Sequence, residues 1–522
     1  MVRTPVRRYW VLVGIGVGLL AAATAQAQLR VATWNVSNYS GGRDADIKTA
    51  VYGMFEGRSM SPDIILCQEF YAGNSTAVTA FRSILNSAPG SPGDWSSAPW
   101  VSGPDTVSAF FYRTSKVTYL AYTIVINGGN DPLPPRNVMR YDVRLVGYSS
   151  VPAVLCCYDT HMKAGTASSD LARRLVEAQA IRDNAELLDP QRNFLIGGDF
   201  NIRASTESAY SELVGSQSNN QGQFFDPISS PGTWNHNSWF QFIHTQDPSL
   251  SPGMDDRFDQ LLVSGNLIDG NGLDYIGHAA VPYSTLTWND PNHSYRAWGN
   301  DGTSYSQLLT VAGNTMVGAT IAQAIRNVAT SAGGHIPVYL DLRVPAAIGA
   351  DPNALNFGSV PQNSVAELTV DVWNAGNVAL WTAAGIDNLD YSLAATAGFT
   401  APPGPFVATA GSANNVHVIA MDTSLQGPLS GTLTIASNAP DHPTLTINLS
   451  GEVAPPAFGK GDMDCNGVVD FEDINPFVRA ITSYEGYHAA YPDCDWLNGD
   501  CNDDLDVNFD DIICFIHLLS AE

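Results

Sequence analysis

The chain has 522 residues, 44% of them hydrophobic and 15% charged. That is enough apolar material for about three or four packed domains and too little charge for a disordered chain. Its 51 acids against 25 bases give a formal charge of −26, which excludes a chain-wide basic surface for non-specific nucleic-acid or anionic-membrane binding and leaves room for a local basic cleft.

At the N-terminus, Arg3, Arg7 and Arg8 precede an apolar run from Tyr9 to about Ala23, followed by Ala25-Gln26-Ala27. The run falls short of the ~20 residues that a membrane span needs, and the small-x-small triplet fits signal-peptidase cleavage. Residues 1–27 are therefore expected to be a signal peptide. The mature protein is expected to be secreted or at the cell surface, with no transmembrane segment.

Residues 28–346 read as mixed α/β. Leu29-Arg30-Val31-Ala32-Thr33-Trp34, Asp63-Ile64-Ile65-Leu66-Cys67 and Asn193-Phe194-Leu195-Ile196 are short apolar runs of the kind that form buried strands. Leu171, Leu175, Ala178, Ile181, Ala185 and Leu188 recur at helical spacing, with Asp170 as the expected N-cap. Residues 350–455 change character. Leu368, Val370 and Val372, and again Leu445, Ile447 and Leu449, alternate with polar residues between Gly, Pro and Asn clusters, which predicts an all-β sandwich. Its opening Leu355-Asn356-Phe357-Gly358-Ser359-Val360 and closing Leu449-Ser450-Gly451-Glu452-Val453 resemble immunoglobulin-like domains of the ASH/HYDIN type, and a spacer role is expected for it. Ala454-Pro455-Pro456-Ala457 is a stiff linker. Residues 460–522 form the last module, with 15 acids and only two bases, Lys460 and Arg479.

Seven cysteines are few for an exported chain of this size. Cys465, Cys494, Cys501 and Cys514 can close two bridges in any of three pairings, whereas the odd set of Cys67, Cys156 and Cys157 cannot fully pair within its own domain.

Polar clusters punctuate the first domain where its apolar runs end. They are Trp34-Asn35, Gln68-Glu69, Thr160-His161, Gly198-Asp199-Phe200-Asn201, Asp256-Arg257-Phe258-Asp259 and Gly334-His335-Ile336-Pro337-Val338. Each alone is a weak signal. Six in this order resemble the endonuclease/exonuclease/phosphatase superfamily of DNase I-like enzymes, over roughly three-fifths of the chain. The resemblance implies a four-layer α/β sandwich, two sheets face to face with helices outside and the active site where strands end.

The chemistry holds without the family. A phosphodiester repels nucleophiles, so its hydrolysis needs a cation to neutralise developing charge and a base to ready water. Asn35 and Glu69 offer hard oxygens suited to Mg²⁺ or Mn²⁺. Asp199 can take a proton from water, and Asn201 can hold that water. Asp259 is the natural partner for His335, fixing its tautomer and favouring imidazolium; His335 can then bond the phosphate. The resemblance implies the same roles and places His161 near the leaving group. Arg136 is a weaker phosphate contact. Gln68 is expected to orient Glu69, and Arg257 to pair with Asp255 or Asp256. One departure concerns the last motif. The family carries an acid before the final histidine that contributes to its metal site, and here that position is Gly334.

The last module has its own metal logic. Asp462, Asp464, Asn466, Gly467 and Asp473 fall at positions 1, 3, 5, 6 and 12 of a calcium loop. Asp500, Asn502, Asp504 and Asp511 repeat positions 1, 3, 5 and 12, with Leu505 where glycine belongs. The pair resembles the duplicated loop-helix of dockerins, which implies bound Ca²⁺ and a cell-surface or cohesin-like partner. The expected protein is a secreted metal-dependent phosphodiesterase acting as an endonuclease on nucleic acid. The alternatives are a sphingomyelinase-like enzyme and a catalytically silent surface-binding protein.

Overall fold

The computed structural model describes residues 28–329, 334–454 and 458–520. The predicted signal peptide, residues 330–333, linker residues 455–457 and residues 521–522 lie outside the described residues. The chain divides into two units, Met1–Val344 with Ala379–Gly385, and Pro345–Val378 with Ile386–Glu522.

In chain order the first unit contains β1 (Leu29–Tyr39), α1 (Asp44–Tyr52), β2 (Ile64–Phe70), α2 (Thr76–Ser87), β3 (Trp95–Ser97), β4 (Val107–Arg113), β5 (Val117–Ile126), β6 (Val138–Leu145) and β7 (Val154–His161). There follow α3 (Ser168–Glu186), β8 (Asn193–Asp199), α4 (Ser208–Val214), β9 (Phe224–Phe225), β10 (Asp259–Ser264), β11 (Asp274–Tyr275), β12 (Arg296–Ala297), α5 (Gly318–Val328) and β13 (Val338–Arg343).

One sheet runs β11-β13-β1-β2-β4-β3, with β12 on β13; the other runs β5-β6-β7-β8-β10-β9. Each sheet is built the same way at its centre. A parallel pair, β1/β2 or β7/β8, is flanked by an antiparallel strand, β13 or β10. Helices α1, α2 and α5 cover the outer face of the first sheet, and α3 and α4 that of the second. The inner faces meet: Phe110 of β4 stacks on Tyr141 of β6 at 4.6 Å. The result is a four-layer sandwich. Central strands are buried on both faces, which is why they read as unbroken apolar runs.

The α3 expectation needs correction. The helix starts at Ser168 with Ala167 as N-cap, and Asp170 is its third residue, accepting from Ala167 N at 3.1 Å. Leu171 is exposed, while Arg174, Glu177 and Arg182 are buried beside Ala178, Ile181 and Ala185. Ion pairs brace the ends of the sheet-one strands that lie away from the polar motifs. Arg30 holds Asp341 through two bonds of 2.7 and 2.9 Å, and Arg113 holds Asp63 at 2.9 Å.

The second unit opens with β14 (Ile348–Asp351), β15 (Ala354–Pro361) and β16 (Glu367–Asn374); after the short helix α6 (Val378–Trp381), which falls in the first unit from Ala379 on, come β17 (Leu389–Ala395), β18 (Phe399–Thr400), β19 (Phe406–Ala408), β20 (Asn415–Met421), β21 (Gly427–Ser437) and β22 (Thr444–Ala454). Sheets β14-β16-β20-β18 and β15-β22-β21-β17-β19 share one core. Val370 and Val372 from one sheet and Ile447 and Leu449 from the other are buried in it, as their alternation requires.

The last segment adds α7 (Ile474–Thr482), α8 (Tyr484–Ala490) and α9 (Ile512–Leu519). Phe477 of α7 and Phe515 of α9 stack at 3.9 Å, and disulfides join Cys465 to Cys494 and Cys501 to Cys514. Cys67, Cys156 and Cys157 are free and buried. Among the described residues, no helix is long and apolar enough to cross a membrane.

Candidate active site

All seven residues expected in the catalytic cleft come together. The twin-sheet layout does this: the C-terminal ends of β1, β2, β7 and β8 and the approaches to β10 and β13 lie at one end of the sandwich. Within the second sheet Asp199 is the direct neighbour of both His161 and Asp259. Asn35 and Glu69 come from the first sheet, where the register slips between Asn35 and Tyr39 and between Cys67 and Phe70. In that irregular stretch Glu69 takes a left-handed backbone (φ 63°), as does Asn201 after β8 (φ 53°). Such conformations cost about 1–3 kcal/mol for a residue like Glu and are held only where the surroundings enforce them.

Asp199 is the hub. Its Oδ2 lies 3.2 Å from His161 Nε2, 3.4 Å from His335 Nε2 and 3.2 Å from the Asn35 amide nitrogen. Its Oδ1 accepts from Asn201 N at 3.1 Å. Burial, followed by the nearby Asp259 and Glu69 charges, raises the Asp199 carboxyl to about 6 although the His335 charge opposes this. His335 Nδ1 lies 2.6 Å from Asp259 Oδ2. Burial alone would depress His335, but the Asp259 and Asp199 charges outweigh it and raise its pKa to about 10. His161 goes the other way. Burial, with the Arg136 and His335 charges, pushes it well below the usual histidine range. One imidazole is therefore charged and the other neutral at pH 7.

Around these groups the packing is specific. Trp34 Nε1 donates to the His335 carbonyl at 3.3 Å, so this core side chain also fixes the histidine's backbone. Glu69 is clamped by Asn38 N at 2.9 Å and by the Asn35 amide at 3.1 Å. Asn35 Oδ1 accepts from Ser37 N at 3.0 Å. The Asn35 amide nitrogen thus lies between two carboxylates, where a cation would be drawn. Glu69, with its side chain 15% exposed, would hold a divalent metal directly. Asn35 joins through its oxygen only when the amide turns from Ser37. The donor set is all hard oxygen and fits Mg²⁺ or Mn²⁺.

Three expectations change. Gln68 does not orient Glu69: its amide reaches between the sheets to Thr33 Oγ1 at 3.0 Å and Asp159 Oδ1 at 2.8 Å. Arg257 pairs with neither Asp255 nor Asp256 but grips Asp226 through two 2.9 Å bonds beneath Trp234, anchoring the start of β10. Arg136 binds Thr106 and Asp105 and lies behind His161, 3.5 Å from its carbonyl. Two buried acids carried no motif. Asp159 lies two residues before His161, on the same face of β7, and burial raises it well above the usual range. Glu177 of α3 accepts from the Thr160 hydroxyl, and burial raises it to about 7. Gly334 has a packing reason: a Cβ there would lie 2.8 Å from Ala329 Cβ.

In the last module, oxygens of Asp462, Asp464 and Asp473 lie within 4.8 Å of one another. Asn466 N and Gly467 N bond Asp462, and Met463 N and Asp464 N bond Asp473, wrapping the backbone around that cluster. In the second loop Asp500 accepts from Asp504 N and Leu505 N, Asp511 accepts from Cys501 N and Asn502 N, and the Asn502 amide donates to Asp504. Leu505 adopts φ 69° where Gly467 has φ 92°.

No protein-family model matches the chain, and no curated protein does. Among solved structures the chain is similar to D. rerio TDP2 humanized by 14 mutations, at 12% identity over 61% of this chain and 100% of that one, with a TM-score of 0.35. It is similar to the catalytic domain of human Nocturnin with bound sulfate, at 15% identity over 61% and 94%, with a TM-score of 0.30. It is also similar to an endonuclease/exonuclease/phosphatase from Beutenbergia cavernae DSM 12333, at 14% identity over 81% and 99%, with a TM-score of 0.30. These are distant likenesses, and the functional argument rests on the site itself.

Proposed function

We propose that the first unit is a metal-dependent phosphodiesterase whose substrate is nucleic acid, cleaved internally by in-line attack of water. The observation that carries this is one buried carboxylate, Asp199, held between a charged and a neutral imidazole. The six-motif resemblance supports it.

His335, kept as imidazolium by Asp259, has its Nε2 3.4 Å from Asp199, too far for a good hydrogen bond. That N–H is available to a non-bridging phosphate oxygen. Asp199 takes the proton of the attacking water as the new P–O bond forms. The Asn201 amide donates to the Met162 carbonyl at 3.2 Å, which leaves its oxygen to hold that water. His161, neutral, hydrogen-bonds the leaving oxygen through its Nε2–H as the old P–O bond breaks, and that oxygen takes its proton from solvent. General acid–base groups of this kind typically contribute about 10²–10⁴-fold. Glu69 and Asn35 would hold a divalent cation, which would supply neutralisation of phosphate charge.

We further propose that the protein is exported, since two disulfides suit an oxidising compartment and the first 27 residues read as a signal peptide. The β-sandwich serves as a spacer of immunoglobulin-like type, and the last module binds Ca²⁺ and attaches to a cell-surface or cohesin-like partner.

The test mixes mature protein with supercoiled plasmid, and separately with sphingomyelin, in Mg²⁺, Mn²⁺, Ca²⁺ or chelator, beside His335→Ala. Metal-dependent nicking that His335→Ala abolishes is the expected result. Phosphocholine release with intact plasmid moves the assignment to phospholipid. No turnover of either substrate favours a silent binding protein.

A further inference from the structure

The chain leaves Asp199 along Asn201, Ile202 and Arg203, and a second loop is fastened to this exit. Trp234 N and Asn235 N donate to the Arg203 carbonyl at 2.8 and 3.3 Å, and the Asn235 amide donates to Asp256 at 2.6 Å. The loop's far end is held by Thr245, whose hydroxyl accepts from Asp259 N at 3.0 Å and whose carbonyl accepts from Ile336 N at 3.0 Å. One end therefore lies beside Asp199 and the other beside the Asp259–His335 pair.

At its crest is a single 3₁₀ turn, Ser238–Phe240. Asn237 locks it, accepting from Trp239 N at 3.1 Å and donating to the Thr233 carbonyl at 2.9 Å. Phe240 packs inward on the core, and Trp239 faces out, 67% exposed. Arg203 is exposed too, and its charge is felt by Asp256, which holds the loop. A large aromatic ring held in water on a capped turn, in a loop fastened to the backbone of exposed Arg203 and rooted at both ends by the phosphoester site, suits a ligand with planar rings and repeated phosphates.

We propose that Trp239 is a stacking platform for a base of the substrate and that Arg203 meets a phosphate flanking the scissile one. This rests on the phosphodiesterase reading above and narrows its substrate to single-stranded nucleic acid, whose bases are free to stack on a side chain. A lipid surface is the poorer match. Asn235, His236, Asn237 and Ser238 around Trp239 are polar and Phe240 is turned away, whereas membrane docking uses a continuous apolar face.

The test uses the mature full-length chain in chelator, so that binding is read without turnover. Fluorescence anisotropy compares a labelled oligothymidylate with an abasic oligomer of equal phosphate number. The wild type should prefer the base-bearing oligomer about tenfold. Trp239→Ala should erase that preference and Trp239→Phe should keep most of it. Arg203→Ala should weaken both oligomers equally. Equal wild-type affinity for the two oligomers, or a preference that survives Trp239→Ala, overturns the proposal. So does Trp239-dependent sedimentation with sphingomyelin vesicles in the absence of base preference. A Trp239-dependent preference in a protein that cuts no phosphodiester keeps the stacking site and removes the catalytic reading; cleavage without the preference does the reverse.

Discussion

Asp259 begins β10 of the second sheet and His335 lies three residues before β13 of the first, 76 residues apart in sequence, yet their side chains meet at 2.6 Å in a buried pair. The carboxylate holds the imidazole charged up to about pH 10. If that charge serves the reaction, activity is present below this value and is lost as pH rises through it. Asp259→Asn should move the alkaline limb of the pH–rate profile several pH units toward neutrality and lower kcat about 100-fold or more. A limb that stays in place would show that His335 owes its charge to another group.

Gly334 stands against the end of α5, and Ala329 leaves no room for a side chain there. Gly334→Ala should destabilise the first unit by about 1–3 kcal/mol, read as a lower Tm, with Ala329→Gly recovering part of the loss. Gly334→Asp should suffer the same clash and should not raise metal affinity. If it instead tightens Mg²⁺ binding with unchanged stability, the glycine is a lost ligand and not a packing residue.

Glu177 is an acid whose folded pKa, about 7, lies above its unfolded value near 4.5. Between these values the folded state holds the extra proton, so stability falls as pH rises through the window. Chemical denaturation at pH 5 and pH 8 should show the wild type losing about 1–3 kcal/mol that Glu177→Gln retains, since the amide oxygen still accepts from Thr160. Parallel losses in both proteins would assign the effect elsewhere.

Gly467 and Leu505 occupy the same place in successive loops, both with positive φ. Only the leucine pays a steric penalty there, about 1 kcal/mol. Leu505→Gly should stabilise the second loop and tighten Ca²⁺ binding, measured by calorimetry against Asp511→Asn, which should abolish it. Gly467→Leu should weaken the first loop.

The strands and the site were legible because both follow from short-range rules. Buried central strands leave unbroken apolar runs, and Asn35, Glu69, His161 and Asp199 stand where those runs end. The helix start was misplaced because Asp170 caps from the third helical position, and apolar periodicity overlooked Arg174, Glu177 and Arg182, which are buried by pairing and hydrogen bonding. Arg257's partner lay 31 residues away, beyond any local pattern. Asp159 was invisible because its partner, Gln68, sits across the gap between two sheets. Contacts that cross layers leave no spacing in a sequence.

The ion pairs Arg30–Asp341 and Arg113–Asp63 brace one end of the first sheet, and Asn35, Glu69 and His335 occupy the other, five or six residues along the same strands and loops. At about 3.3 Å per residue the two ends are some 16–20 Å apart. Changes at one end are thus too far from the other to couple strongly. The sandwich has a mechanical pole and a chemical pole that selection can adjust separately, so homologues can drift in heat resistance while the cleft keeps its chemistry, or acquire new substrates without loosening the frame.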